Sequence, residues 1–296
     1  MTPFAIAGVQ MHVSGIHENV TRMHQKLDLL MVIYPWVQMV VFSELCPYGP
    51  LTRTAQPMPN ATEEGFQAAA RRHGVWLIPG SMFEREGEHI YNTASVINPQ
   101  GEVIARYRKM FPFYPYEEGV AAGDQFCVFD IPDVGCFGLS NCYDMWFPET
   151  SRTLCAMGAE VILHPTMTST VDRDVELAIA RATAAQNQCF FFDVNGLGDG
   201  GIGKSIIVGP HGDVLHTGES TEQFLPVEID IQRVRRSREV GLRGLGQPLK
   251  SFRDRKVRFS VYDADAPNHF ALLGALAKPA RGSTAGLKHG NGGGKA

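Results

Sequence analysis

Residues 37–44 read Val37-Gln38-Met39-Val40-Val41-Phe42-Ser43-Glu44. A mostly apolar run of strand length stops directly on a hydroxyl and a carboxylate, so a buried strand would carry a charged side chain to its end. Working outward, residues 4–10 read as an opening strand. Residues 17–30 follow as a helix with Val20, Met23, Leu27 and Leu30 on one face. On the other side, residues 62–73 read as a helix, with Glu63 and Glu64 in its first turn and Gly74 just past its end. Strands are then predicted over 76–79, 91–97, 103–107, 126–130 and 136–140, with Asn98-Pro99-Gln100-Gly101 as a turn. A helix over 148–157 leads through Gly158 into a strand over 160–164. A helix over 175–187 leads into a strand over 189–195. A hairpin around Pro210-His211-Gly212, a strand over 225–229 and a basic helix from 231 complete the pattern. The order βαβα, hairpins, βαβα, hairpin predicts an α/β fold in layers, sheets packed on each other and helices outside.

The bulk numbers narrow the function. With 296 residues, 44% hydrophobic and 20% charged, the chain has enough apolar material for a full-sized core. A formal net charge of −4 gives no reason to expect nucleic acid or an anionic membrane as partner. No apolar run approaches the ~18 residues needed to span a bilayer, and the first ten residues lack the basic and apolar regions of a signal peptide. A cytoplasmic location is the expectation. The six cysteines, Cys46, Cys127, Cys136, Cys142, Cys155 and Cys189, include no C-x-x-C pair, so no zinc ribbon is expected. Residues 1–277 are expected to form one domain, with a C-terminal extension from about 241. Residues 278–296, rich in Gly and Lys, read as a tail too polar to order by itself.

Three polar side chains fall at predicted strand ends. Glu44 closes the first stretch quoted. Lys109 follows Tyr107-Arg108, and Cys142 lies in Gly138-Leu139-Ser140-Asn141-Cys142-Tyr143-Asp144. The combination suits acyl transfer. A thiol is only partly ionised near neutral pH and needs a base to take its proton. Attack on a carbonyl creates an oxyanion that an ammonium and a backbone N–H can hold. A leaving amine needs a proton back, which the carboxylate can return. Each residue also has an ordinary structural explanation, as a strand-end charge, an exposed basic pair or a small core thiol.

Longer blocks around these residues resemble the three signature blocks of the nitrilase superfamily of carbon–nitrogen hydrolases. They are Phe42-Ser43-Glu44-Leu45, Tyr107-Arg108-Lys109 and Asn141-Cys142-Tyr143-Asp144-Met145-Trp146-Phe147-Pro148-Glu149. Tyr91-Asn92-Thr93-Ala94 and Gly158-Ala159-Glu160-Val161-Ile162 agree, and the similarity runs over about residues 4 to 240. The resemblance implies a four-layer αββα sandwich assembled into homodimers or larger, with residues 263–276 as a candidate for a segment crossing between subunits. It implies Glu44 as general base, Lys109 as stabiliser of the tetrahedral intermediate and Cys142 as the nucleophile of a thioester intermediate. A second glutamate follows the lysine in that family. Glu117 and Glu118 both qualify, and the run Lys109-Met110-Phe111-Pro112-Phe113-Tyr114-Pro115-Tyr116-Glu117 resembles the aliphatic-amidase loop, which selects Glu117.

The substrate implied is a small linear carboxamide, cleaved to acid and ammonia with no metal or cofactor. Nitrilases proper tend to carry Cys-Trp-Glu where this chain has Cys142-Tyr143-Asp144, which favours amides over nitriles. An N-carbamoyl amidohydrolase or a nitrilase on the same scaffold stays open as the alternative. Tyr48, Tyr143, Met145, Trp146 and His164 are candidates for the pocket, and the absence of Arg near Met145-Trp146 argues against an anionic substrate bound there. Gly198-Asp199-Gly200-Gly201-Ile202-Gly203-Lys204-Ser205 fits a phosphate-binding loop. Such a loop requires a following helix, and Ile206-Ile207-Val208-Gly209-Pro210 predicts a strand instead. Cys46 reads as support for the site. Arg233, Arg235, Arg236 and Arg238 read as a solvated or subunit-contact face.

Overall fold

The computed structural model describes residues 3–263 and 269–279. Two sheets carry the fold. In the first, the strands run in the order Gln223–Asp230, Pro3–Gln10, Met39–Phe42, Trp76–Ile78, His89–Ile97 and Ser81–Glu86, and Val103–Arg108 also pairs with His89–Ile97. In the second the order is Val214–Thr217, Ile206–Val208, Phe190–Asn195, Val161–Thr166, Gly135–Leu139 and Cys127–Ile131. Each sheet has parallel strands at its centre and antiparallel hairpins outside them.

Strand alternation decides what each face meets. Met39 and Val41 point inward and join Phe4, Ile6, Phe137, Leu163, Phe190 and Phe192 in a core between the sheets. Their neighbours Val40 and Phe42 point outward onto helices α1 (Val20–Ile33) and α2 (Ala61–His73), against Met23, Leu27, Leu30 and Phe66. Ile162 and Phe191 do the same on the far side. They pack on α3 (Pro148–Ala156) and α4 (Asp172–Asn187) through Leu154, Ala180 and Ala184. Helix, sheet, sheet, helix is the αββα order expected from the resemblance. Two further helices, α5 (Gln232–Val240) and α6 (Pro248–Arg253), follow the last strand.

Several boundaries differ from the expected ones for local reasons. α1 begins at Val20, because Asn19 is tied to Ser14 and Pro47 and keeps residues 17–19 out of the helix. α2 opens on Asn60, whose side chain accepts from the Glu63 N–H at 3.0 Å, and closes on Gly74 at φ +65°. Ser81–Glu86 was unforeseen. Its first four residues, Ser81 to Glu84, are buried and follow Gly80, which sits at φ +76° with only 1.9 Å between an added Cβ and the Ser43 carbonyl oxygen. That close approach presses the turn before this strand against the residue preceding Glu44. Of residues 263–276, positions 264–268 lie outside the described residues. Among the described residues no helix is long and apolar enough to cross a membrane.

Candidate active site

Glu44, Lys109 and Cys142 start from different elements and converge between the sheets. Glu44 follows Met39–Phe42, and its N–H donates to the Thr166 carbonyl at 3.3 Å, linking the ends of the two sheets. Lys109 follows Val103–Arg108 and donates its N–H to the Asn92 carbonyl at 2.9 Å. Cys142 ends no strand. The strand stops at Leu139, and Cys142 opens a tight 3-10 turn, Cys142–Trp146, in the left-handed region at φ +48°.

A non-glycine residue in that region costs on the order of 1 kcal/mol or more, and it persists where the surroundings over-determine it. Asp144 supplies the constraint. One carboxylate oxygen accepts from the Asn141 N–H at 2.8 Å and the Tyr107 hydroxyl at 2.6 Å, and the other accepts from the Phe111 N–H at 2.9 Å. Burial lifts the Asp144 carboxyl to about 6, against the pull of Tyr107 and Lys109.

The lysine ammonium lies 2.8 Å from Glu44 Oε1 and 2.9 Å from Glu117 Oε2, with Lys109 and Glu44 each 1% exposed. Asn92 donates to the same Glu44 oxygen at 2.8 Å and accepts from the Asn141 side chain at 3.0 Å. The Cys142 sulfur lies 4.0 Å from Thr168 Oγ1 and near enough to Glu44 and Lys109 to feel both charges. Burial alone would lower Lys109, but the charges of Glu44, Cys142 and Glu117 outweigh it and hold the ammonium well above its ordinary range. Burial raises Glu44, opposed by Lys109 and reinforced by Glu117. Burial and the Glu44 charge also raise Cys142, against Lys109. At rest the site therefore holds a protonated thiol beside a carboxyl more basic than usual and a firmly charged ammonium. Among the described residues no cluster of His, Cys, Asp and Glu has the makings of a metal site.

A cavity of about 360 Å³ opens over Cys142, and Phe113, Tyr143, Trp146, Met167, Thr168 and Glu176 are among its lining residues. Tyr143 and Trp146 thus meet the cavity, and three of the other candidates do not line it. Tyr48 hydrogen-bonds through its hydroxyl to Thr62. Met145 is buried among Leu154, Ile162 and Phe191 behind the turn. His164 lies under the site, fully buried, with Nδ1 2.7 Å from Ser140 Oγ. Burial, with the charges of Arg173 and Lys109, lowers its imidazole to about 3, so the ring is neutral. Of the adjacent glutamates, Glu117 meets Lys109 while Glu118 is exposed. Cys46 is fully buried and its thiol is pushed up to about 12 by burial. The glycine run 198–205 leads into the strand Ile206–Val208, and Lys204 pairs with Asp174 at 2.8 Å. Within the basic run, Arg233 pairs with Asp213 and Arg235 with Glu160, so part of it serves the fold.

The comparisons with known proteins follow this geometry. The model of the carbon-nitrogen hydrolase family matches residues 5–239. The chain belongs to that family. It is a hydrolase of the nitrilase superfamily and sides with its amidase branches. A protein named nitrilase from Pyrococcus abyssi is 34% identical over 215 residues, covering 68% of this chain and 80% of that one. The 2-oxoglutaramate amidase of Bacillus subtilis is 31% identical over 185 residues, covering 60% and 71%. Among solved structures, Nit3 of Saccharomyces cerevisiae, a member of branch 10 of the superfamily, superposes with a TM-score of 0.73 at 24% identity. The match covers 80% of this chain and 93% of that one.

Sequence reasoning left four side chains of the site without a role. Asn92 stands in Tyr91-Asn92-Thr93-Ala94, a quoted block whose polar residue inside a strand was a usable signal. Asp144 lies two residues past the cysteine and could have been read as its clamp. Thr168 and Glu176 carry no motif; the first reaches the cavity just past the strand Val161–Thr166 and the second from α4.

Proposed function

We propose that the chain hydrolyses a small linear carboxamide to its acid and ammonia through a thioester on Cys142. The observation that carries this is the buried Glu44–Lys109–Glu117 ion cluster beside a cavity-facing thiol. Glu44, made more basic by burial, takes the Cys142 proton as the sulfur attacks the amide carbonyl. Lys109 Nζ and a backbone N–H hold the resulting oxyanion. The tetrahedral carbon then expels the amine, which leaves as ammonia with the proton from Glu44. Glu44 next takes a proton from water, whose oxygen attacks the thioester. Collapse releases the carboxylic acid, and the sulfur regains its proton. Glu117 fixes the ammonium from its far side, so the cation does not swing with the substrate.

An amide is favoured over a nitrile by the Cys142-Tyr143-Asp144 block. Asp144 is committed to clamping the turn and cannot serve the reaction directly. An N-carbamoyl substrate remains the alternative and would release carbon dioxide with the ammonia. A homo-oligomer is also proposed, in line with the resemblance. The test is a panel of simple amides and nitriles followed by ammonia release, alongside iodoacetamide labelling mapped by peptide mass. Turnover of amides lost in step with alkylation of Cys142 is the expected result. Turnover that survives full alkylation of Cys142, or loss that follows Cys46 or Cys155, would remove the assignment.

A further inference from the structure

The cavity over Cys142 has a chemical character that the reaction alone does not require. Two of its lining residues, Asp172 and Glu176, are carboxylic acids, and among the described residues no Lys or Arg lines it. The nearest cations are already engaged. Arg173 is fully buried and divides its guanidinium between Glu176 at 3.0 Å, Asp193 at 2.8 Å and the Lys204 carbonyl at 2.8 Å. Lys204 pairs outside with Asp174, and Lys109 is held between Glu44 and Glu117. In each of these two clusters one cation faces two carboxylates, which leaves a formal surplus of negative charge.

The surplus is well placed. Glu176 Oε1 accepts from Thr168 Oγ1 at 3.0 Å, and that hydroxyl is 4.0 Å from the Cys142 sulfur, so one threonine separates the carboxylate from the reacting atom. Aromatic rings stand beside it, and the Trp146 indole N–H donates to the same Glu176 oxygen at 3.4 Å. Phe113, Tyr143 and Trp146 line the cavity, and Tyr143 stands edge-on to Phe113 with ring centroids 4.9 Å apart. A carboxylate in a cavity lined with aromatic rings suits an ammonium and repels an anion, because ring faces are negative and desolvated charge pairs are strong.

We propose that this cavity selects amides whose acyl chain ends in a primary ammonium over those ending in a carboxylate, and that Glu176 is the residue that sets this preference. The proposal rests on the amidase reading, and it names the substrate class of that site.

The test compares three amides of matched length: 4-aminobutanamide, neutral pentanamide and anionic succinamate, each followed by ammonia release. At least tenfold higher kcat/KM for 4-aminobutanamide than for succinamate is expected, with pentanamide between them. Glu176→Gln should narrow that ratio at least fivefold. If this variant folds poorly, Asp172→Asn at the cavity mouth should narrow it more modestly. A second readout does not depend on turnover. Alkylation of Cys142 by 2-bromoethylamine, iodoacetamide and iodoacetate, each normalised to its rate with a free thiol, should be fastest for the cation and slowest for the anion. If pentanamide is not cleaved but alkylation keeps that order, the amidase reading fails and the charge selection stands. Succinamate cleaved as well as 4-aminobutanamide, or iodoacetate reacting as fast as the cation, overturns the selection.

Discussion

Lys109 lies between Glu44 and Glu117, and Arg173 lies between Glu176 and Asp193. Both cations are buried, and each faces two carboxylates. They differ in shape and in what they bind. The ammonium of Lys109 is a compact charge held only by side chains at the end of its strand, so in the proposed mechanism it can also meet an oxyanion. The guanidinium of Arg173 has its donors spread over α4, the strand Phe190–Asn195 and the backbone ahead of Ile206–Val208. The same charge composition serves chemistry where it has one loose direction. It serves architecture where the cation is tied to three separate elements of the fold.

Replacing both cations gives the largest contrast. Lys109→Met should lower kcat by roughly 10²–10³ in the protein that folds, the range for losing an oxyanion partner. Arg173→Met should instead cost about 3–5 kcal/mol of stability, because two buried carboxylates lose their cation. Urea unfolding with activity counted per folded molecule separates the two. An Arg173→Met protein of normal stability but without turnover would erase the distinction.

Titration of the neutral His164 sharpens the comparison from beneath. The unfolded imidazole binds a proton below about 6.5, whereas the native one stays neutral down to about 3. The unfolded chain therefore binds more protons in that window. The contribution is fully present above 6.5 and is lost as pH falls toward 3, by at most about 1.4 kcal/mol per pH unit. Urea melts of the wild type and His164→Asn should converge or cross as pH drops through this range. Parallel curves would mean that the imidazole is already charged in the native protein.

The smallest effects belong to charges outside both clusters. Lys204→Ala and Glu118→Gln should each change turnover less than twofold and stability by no more than about 0.5 kcal/mol. Both are surface charges, and Lys204 closes a glycine run that leads into a strand. A large loss in Lys204→Ala would reopen nucleotide binding, and one in Glu118→Gln would shift the amidase-like loop by a residue.

The first of these clusters was readable before folding and the second was not. Glu44, Lys109 and Cys142 each follow a recognisable strand and stand in local blocks, so short-range pattern carries them. Asn92 was visible as a polar residue within a strand but had no partner to explain it. Arg173, Glu176 and Asp193 sit at helical and strand positions that read as ordinary surface and core, and only long-range packing joins them. The layers followed from alternating apolar strands such as Met39–Phe42 and Phe190–Asn195. The Ser81–Glu86 strand escaped because Glu84, Arg85 and Glu86 hide its apolar half. The turn at Cys142 escaped because its positive φ is imposed by Asp144, Tyr107 and Phe111, the last two supplied by a distant part of the chain.

The pairing of the first strand sets a schedule for synthesis. Pro3–Gln10 is matched residue for residue with Gln223–Asp230, from Pro3 opposite Asp230 to Gln10 opposite Gln223. A ribosome adding about 5–20 residues per second needs roughly ten to forty seconds to deliver that partner after the first strand has emerged. Throughout that interval Ala5, Ala7 and Val9 lie in a strand with one edge unpaired, a template for other nascent chains. The last strand of the sandwich, made long after the cysteine, is what takes that edge out of reach.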